Sequence, residues 1–465
     1  SYILYQNIIY MKTNTIGGSA VASGGYGCIF RPMISCEFSN KDVNNITIDT
    51  QKEEMSNELN KNKHVSKLML NADAKSEVNE VLRFHKIIKN IQNFEEYFIF
   101  PKVACTPTIL SNKDKLNYDK KCSRLNRHGI SANNVNQHLN DISVLQIPDG
   151  GIDLNDYIDN NSITKGIFYK INRNLIRLLK HAIIPMNSKY LYHLDLKAQN
   201  VLVDVNDSYK VKLIDWGMSK YFKNKKQIPD IGYRPFHFNM PYSIILMNTE
   251  TIIHIEKVIY SNYSQSELTL DVASDLIERY YTKFLSKKLG HGHLEYIEYL
   301  SKTLNTSSDR LEYDEIFKYL GKIILHYRKT DGTFDYKYFQ VFLHNIDLWG
   351  FISIYLPFMD LDEKFSDKYL RKMKSTIRKL YTEFLYKYVV DPIPVHKLIN
   401  FLESLNKQYY SVAPNATIAY VDKLLTKTIT MDIDYLKEYS KPKSQTRKRK
   451  ISYQKSKNKS RRRSL

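Results

Sequence analysis

Hydrophobic and polar positions alternate differently in the two parts of the chain. Short apolar runs at 65–69 and 97–100 are typical of strands, and residues 74–91 carry apolar side chains at helical spacing. A helix among several short strands predicts a small β-rich region covering about 20–147.

Helical spacing dominates after Gly151. Two short runs at 201–205 and 210–214 are the exception, and the polar turn between them predicts a β-hairpin. The pattern therefore predicts an α+β protein whose larger, helical region covers about 150–440 and includes a long helical insertion at about 244–340.

Polar segments interrupt or flank these regions. Residues 39–63 and 106–140 are rich in Asn and Lys and are interpreted as surface insertions. Residues 1–19 are interpreted as a polar leader. Residues 441–465 have almost no apolar content and are predicted to be a disordered tail.

The distribution of charge separates the last 25 residues from the rest of the chain. The chain has 465 residues and a formal net charge of +20. The last 25 residues hold 12 Lys and Arg residues and no acid, so residues 1–440 carry only +8. A dedicated nucleic-acid binder would spread basic charge over a folded face. The basic tail is expected to contact nucleic acid or another polyanion, or to serve solubility or import.

The cysteines and apolar runs exclude other classes of protein. Four cysteines without CxxC spacing argue against a zinc site and a disulfide framework, and they are expected to be reduced intracellular thiols. The longest uncharged apolar run, 348–359, is too short for a membrane span. With no signal peptide visible, we expect an intracellular protein that is not secreted.

Two motifs carry the strongest chemical signal. Residues 193–200 have the sequence HLDLKAQN, and DWG follows at 215–217, after the predicted hairpin. These motifs resemble the HRDLKxxN catalytic loop and the DFG metal motif of the protein kinase superfamily. The resemblance spans about 20–400 with gaps and implies a two-lobed, kinase-like fold.

Phosphoryl transfer consists mainly of positioning and charge neutralisation. The resemblance implies that Asp195 accepts or orients the proton of the substrate hydroxyl and that Lys197 neutralises the γ-phosphoryl group. Asn200 and Asp215 are expected to bind Mg²⁺ through hard oxygen ligands. Lys197 also favours serine or threonine over tyrosine as the acceptor.

An upstream segment resembles the glycine-rich ATP-binding loop of kinases, in which backbone N–H groups approach phosphates. Its residues are Ala22, Ser23, Gly24, Gly25, Tyr26, Gly27, Cys28 and Ile29. Ile29 would cover the adenine. Lys67, in HVSKLM, would bind the α- and β-phosphates. Glu77 and Glu80 both remain candidates for its partner, with Glu77 favoured because it borders the apolar helix face.

Residues 143–154 resemble the segment that links the kinase lobes. Leu145 would be the gatekeeper, and the Gln146 C=O would accept from the adenine amino group. Pro148 then lacks the N–H that usually donates to adenine. Downstream, Asp347 matches an aspartate that holds the catalytic-loop backbone from below in this family.

The sequence departs from the family pattern at several positions. Leu194 replaces the arginine that receives an activation-loop phosphate, which removes that route of activation. No APE motif is present, and PFHFNMP occupies 235–241. These features resemble divergent kinases of giant nucleocytoplasmic DNA viruses, which would place the protein in the host cytoplasm or the virion.

The favoured hypothesis is an ATP- and Mg²⁺-dependent serine/threonine kinase acting on a protein substrate. The alternative is a pseudokinase scaffold that binds nucleotide and partners. A kinase of small molecules or lipids and a basic nucleic-acid-binding protein are weaker alternatives.

Overall fold

A six-stranded antiparallel sheet forms most of the first part of the protein, in the order β1-β2-β4-β6-β5-β3. Its strands are β1 Ser19–Ser23, β2 Gly27–Arg31, β3 Cys36–Glu37, β4 His64–Leu70, β5 Val103–Pro107 and β6 Ile142–Pro148. Two small antiparallel sheets follow, β10-β9-β7 and β11-β8. Their strands are β7 Ile152–Asp153, β8 Leu191–Tyr192, β9 Val201–Asp204, β10 Lys210–Leu213 and β11 Lys220–Tyr221.

This computed structural model describes residues 18–24, 26–37, 63–222, 231, 234–304, 312–361 and 368–410. Several predictions lie outside those ranges. They concern most of the leader, Gly25, nearly all of the 39–63 insertion and the basic tail.

Helices make up most of the described chain after β6. The α-helices are α1 Asn71–Ile88, α2 Tyr118–Lys121, α3 Ser123–Arg127, α4 Leu154–Asn160, α5 Lys165–Leu178, α6 Ile184–Ser188, α7 Thr249–His254, α8 Leu270–Tyr280, α9 Ser286–Leu289, α10 Leu294–Leu304, α11 Glu312–His326, α12 Tyr338–Ser353, α13 Lys368–Phe384 and α14 Val395–Tyr410. The protein is therefore α+β, as the pattern predicted. The β9–β10 hairpin is confirmed, with Val201 opposite Leu213.

Helix α12 lies in the middle of the helical region. The stretch Tyr338–Met359 is the one described helical segment long and apolar enough to cross a membrane, but 89% of its apolar window is buried inside the protein. Burial of this kind is typical of a core helix, which is consistent with the prediction of no transmembrane segment.

The interpretation of 106–140 as a surface insertion is wrong. Tyr118, Cys122 and Leu125 from this segment are fully buried in a cluster with Phe30 and Leu68 of the sheet. The segment packs on the sheet through most of its apolar residues, although Ile109 and Leu116 remain exposed. Its Asn and Lys residues had hidden that pattern.

The prediction of reduced thiols is also wrong, because the structure pairs Cys28 with Cys122 and Cys36 with Cys105. The first disulfide joins β2 to the 106–140 segment across 94 residues. Sequence spacing did not reveal these pairs because the sheet brings distant cysteines together.

The strand predicted at 97–100 is not a strand. Its backbone makes one bridge, from Phe98 to Leu213 of β10. Aromatic packing dominates this segment instead, since Phe98 and Phe100 both lie against Trp216.

Candidate active site

One row of side chains crosses the main sheet on the face that α1 covers. Directly opposed residues of antiparallel strands point to the same face. Ile29 of β2 lies opposite Lys67 of β4, and Lys67 lies opposite Leu145 of β6. Ala22 of β1 lies opposite Ile29. The structure therefore brings residues from two separate predicted motifs into one row beside Lys67.

Lys67 forms an ion pair with Glu77 of α1. Its Nζ lies 2.8 Å from Oε1 and 2.6 Å from Oε2, and both side chains are mostly buried. Glu80 is only partly buried, and that burial raises its pKa while Arg83 opposes the shift. The structure confirms Glu77 as the partner of Lys67.

The predicted glycine-rich segment forms the turn between β1 and β2. The Gly24 N–H donates to the Gly27 C=O at 2.8 Å, and Ser23 pairs with Cys28. A side chain at Gly27 would collide with the Leu68 C=O of β4, so only glycine allows this close strand contact. Tyr26, at the tip of the turn, is exposed.

The prediction for Gln146 needs correction. Its C=O accepts from the Lys102 N–H at 2.8 Å, and its amide donates to Cys36 Sγ at 3.0 Å. Gln146 is buried because β6 is a central strand, paired on both sides. Its carbonyl therefore belongs to the sheet, and β6 continues to Pro148, so the strand ends later than the motif comparison implied.

Asp195 is the centre of a buried hydrogen-bond network. Its Oδ2 accepts from Lys197 Nζ at 2.8 Å and from Asn200 Nδ2 at 2.9 Å. Its Oδ1 accepts from Asn239 Nδ2 at 2.8 Å. Burial acts to raise the pKa of Asp195, but Lys197, Asn239 and His193 outweigh burial and lower it below the ordinary value. The carboxylate is therefore ionised at neutral pH.

The backbone of this loop is held from α12. Asp347 accepts from the His193 N–H at 2.9 Å and from the Leu194 N–H at 3.0 Å. Leu194 has a φ of +62°, which is strained for a branched residue. The two hydrogen bonds stabilise that conformation, and the predicted structural role of Asp347 is confirmed.

The β9–β10 hairpin brings Asn200 next to Asp215. The Ile214 N–H donates to the Asn200 C=O at 3.0 Å, which places the following residue, Asp215, beside the loop. The Asp215 side chain is exposed, and Trp216 beside it is buried, with Nε1 donating to the Ile99 C=O at 2.9 Å. One carboxylate and one amide oxygen are thus available at the hairpin base.

The segment 234–239 reaches the same loop from the other side. Besides its bond to Asp195, Asn239 donates to the Leu196 C=O at 3.2 Å. Its neighbour Phe238 accepts from Trp349 Nε1 of α12 at 3.0 Å. The sequence motif PFHFNMP had been noted, but nothing in its spacing predicted a contact with Asp195.

The helical insertion also contributes to the site. The His293 N–H donates to the Phe236 C=O at 2.9 Å, and its ring lies 4.4 Å from that of His237 and 5.5 Å from that of Phe238, measured between centroids. Burial, together with the nearby His293 and Arg234, lowers the pKa of His237 to about 4. The insertion thus packs directly on the segment that carries Asn239, which sequence reasoning missed.

No protein-family model matches the chain, and no curated protein matches it. Functional conclusions therefore rest on the geometry and chemistry of the described residues.

Proposed function

We propose that this protein is an ATP- and Mg²⁺-dependent protein kinase with a two-lobed fold, acting on serine or threonine hydroxyls. The observation that carries the proposal is the Asp195 network. An ionised carboxylate lies beside a lysine and an asparagine, on a loop whose backbone Asp347 holds. Such an arrangement suits a group that orients a hydroxyl and accepts its proton.

The other residues of the cleft support the same chemistry. Lys67, kept in place by Glu77, is suited to bind the α- and β-phosphates. Asn200 and Asp215 would hold Mg²⁺. Among the described residues, no group of three His, Cys, Asp or Glu side chains could hold a metal. The ion would therefore complete its shell with water and nucleotide oxygens, as Mg²⁺ commonly does. When bound, it would neutralise phosphate charge.

The late end of β6 changes the proposed adenine contacts. In a strand, carbonyls two residues apart point to the same side. The Pro148 C=O therefore faces the same side as the Gln146 C=O, but beyond the first residue of β5 at Val103. Pro148 is then suited to accept from the adenine amino group, a role for which a missing N–H is no handicap.

The side chains on either side of the proposed adenine position are apolar. Ile29 and Ile147 lie on the sheet face that carries Lys67, and both are half-buried. Leu202 of β9 lies close beneath Gly150, where any side chain would collide with it. A flat aromatic base between such surfaces would bury apolar area on both faces.

The test is transfer from γ-labelled ATP, with Mg²⁺, to basic and acidic protein substrates. We expect transfer by the wild type and a loss of about 100-fold or more in Asp195→Asn, the range for a general base. Asp271→Asn, on the exposed start of α8, is the matched control and should transfer normally.

Binding of a fluorescent nucleotide is measured in parallel. Equal transfer by wild type and Asp195→Asn would overturn the assignment of Asp195. Nucleotide binding without transfer in the wild type would favour the alternative, a scaffold that binds nucleotide and partners.

A further inference from the structure

Arg234 differs from the other partly buried arginines near the cleft. Arg31 contacts Asp149 at 2.7 Å, and Arg124 contacts Asp73 at 3.1 Å. The Arg234 guanidinium contacts a sulfur instead, with Nη2 3.1 Å from Met218 Sδ. Its Nη1 is buried and has no hydrogen-bond partner among the described residues. A buried N–H group that lacks an acceptor is unfavourable, more so when it carries charge, and it calls for an explanation.

The position of Arg234 indicates which kind of group could bind its unpaired Nη1. Burial lowers the pKa of its guanidinium, and the nearby Asp195 carboxylate opposes that shift. The contact with Met218, which directly follows the DWG motif, and the bond from Asn239 of the same segment to Asp195 place Arg234 near the catalytic loop. Tyr26, at the tip of the β1–β2 turn, also lies within interaction range. These two elements border the space in which the proposed reaction would take place.

Asp195 does not serve as the missing partner. Lys197, Asn200 and Asn239 already donate to its two carboxylate oxygens. No hydrogen bond joins Arg234 to Asp195 among the described residues. The Nη1 donors are thus left for a group that none of the described residues supplies.

We propose that Arg234 forms a binding site for an anionic oxygen group, a phosphate or carboxylate, beside the acceptor position of Asp195. A guanidinium suits this ligand because its planar N–H groups can bond two oxygens at once. The site rests on the proposed function and deepens it. The anion belongs either to the terminal phosphate of the nucleotide or to an acidic residue next to the acceptor hydroxyl of the substrate.

Two binding measurements distinguish these sources without depending on transfer. One compares the Kd of ATP with that of ADP by calorimetry. The other uses fluorescence anisotropy to compare a neutral serine peptide with the same peptide carrying glutamates beside the serine. The variants are Arg234→Leu and Arg234→Lys. Arg279→Leu is the control, because Arg279 lies on exposed α8 and pairs with Asp275.

Arg234→Leu should lower the affinity for one of the two anionic ligands by roughly 10- to 100-fold, the range for a charge-assisted hydrogen bond. If the variant loses affinity for ATP but not for ADP, the anion that Arg234 binds is the terminal phosphate. If it loses affinity for the acidic peptide alone, the anion belongs to the substrate. Arg234→Lys should recover part of either loss. Arg279→Leu should change neither ligand.

Unchanged affinities for all four ligands in a folded Arg234→Leu would overturn the proposal. Thermal melting establishes that the variant is folded, and Arg234→Gln replaces it if it is not. Because no arm measures transfer, a wild type that binds ATP or peptide through Arg234 yet transfers nothing would refute the proposed function alone.

Discussion

The two sides of the candidate site are assembled over very different distances along the chain. Lys67 and Glu77 are ten residues apart and join a strand to the helix that follows it. Asp195 contacts Asn239, 44 residues away, and Asp347 binds its loop from more than 150 residues away. The Lys67–Glu77 contact on the proposed nucleotide side is therefore local, whereas the proposed acceptor side depends on the packing of the helical region.

The largest expected effect comes from breaking the long-range side. Asp347→Ala leaves the N–H groups of His193 and Leu194 buried without acceptors, at about 1–3 kcal/mol each. We expect the free energy of unfolding to fall by about 2–6 kcal/mol, measured by urea denaturation. Transfer should fall steeply, because the loop that carries Asp195 loses its support.

Nucleotide affinity is the decisive control for Asp347→Ala. If the proposed nucleotide side does not depend on the loop that carries Asp195, the variant should bind a fluorescent nucleotide nearly as well as the wild type. The comparison is made at a temperature where both proteins are folded. Asp347→Asn, which keeps one acceptor oxygen, should lose less stability. A parallel loss of nucleotide affinity and transfer would show that the two sides are not separable.

The same contrast explains what the sequence could predict. The Lys67–Glu77 pair follows from helical periodicity, and the Asn200–Asp215 arrangement follows from a hairpin with clear alternation. Asn239 and His293 were missed because their contacts depend on how the insertion packs, which no local pattern encodes. Gln146 was misassigned because its carbonyl accepts from Lys102, just before β5, while pairing with β4 continues β6 to Pro148. The residues of β6 alone do not encode these contacts.

The disulfides of the main sheet also depend on contacts between residues that are distant in sequence. Cys28 and Cys122 are adjacent in space because the 106–140 segment folds over the sheet. Replacing both with serine removes a cross-link that spans 94 residues. We expect the free energy of unfolding to fall by about 2–5 kcal/mol, the usual range for a native disulfide, measured by urea denaturation without reductant.

Alkylation followed by intact-mass measurement provides the control. The wild type should bind no alkylating reagent until it is unfolded and reduced, and then bind four equivalents, one for each cysteine. Four equivalents bound by unfolded protein that was never reduced would contradict the pairing. Disulfides persist mainly in oxidising compartments, and thiol exchange during isolation would change the pairing. Free thiols should therefore be blocked from the start of the isolation.

A third effect should be specific to the acceptor side and to acidic pH. Burial holds the pKa of His237 at about 4 in the folded protein, against about 6.5 in an unfolded chain. Between these values the unfolded state binds more protons, so stability is lost as the pH falls from about 6.5 towards 4. The loss due to His237 is at most about 3 kcal/mol.

Replacing the histidine isolates that contribution. The fall in unfolding free energy between pH 7 and pH 4.5 should be smaller in His237→Gln than in the wild type. His291→Gln, at an exposed position two residues before His293, should behave like the wild type. Equal falls in all three proteins would show that His237 is not held neutral by its surroundings.

The smallest expected effect comes from the local contact between Lys67 and Glu77. Glu77→Gln keeps the shape of the side chain but removes the charge that holds Lys67. Losing one charged hydrogen-bond partner corresponds to about 1.5–3 kcal/mol at most. We expect the lower end, because the glutamine keeps an oxygen that can accept from Lys67. We expect kcat/KM for ATP to fall roughly tenfold. Glu80→Gln, one turn further along α1, should change it very little. Because both variants alter the same helix by the same chemical step, equal losses would mean that helix charge, and not the Lys67 contact, determines nucleotide use.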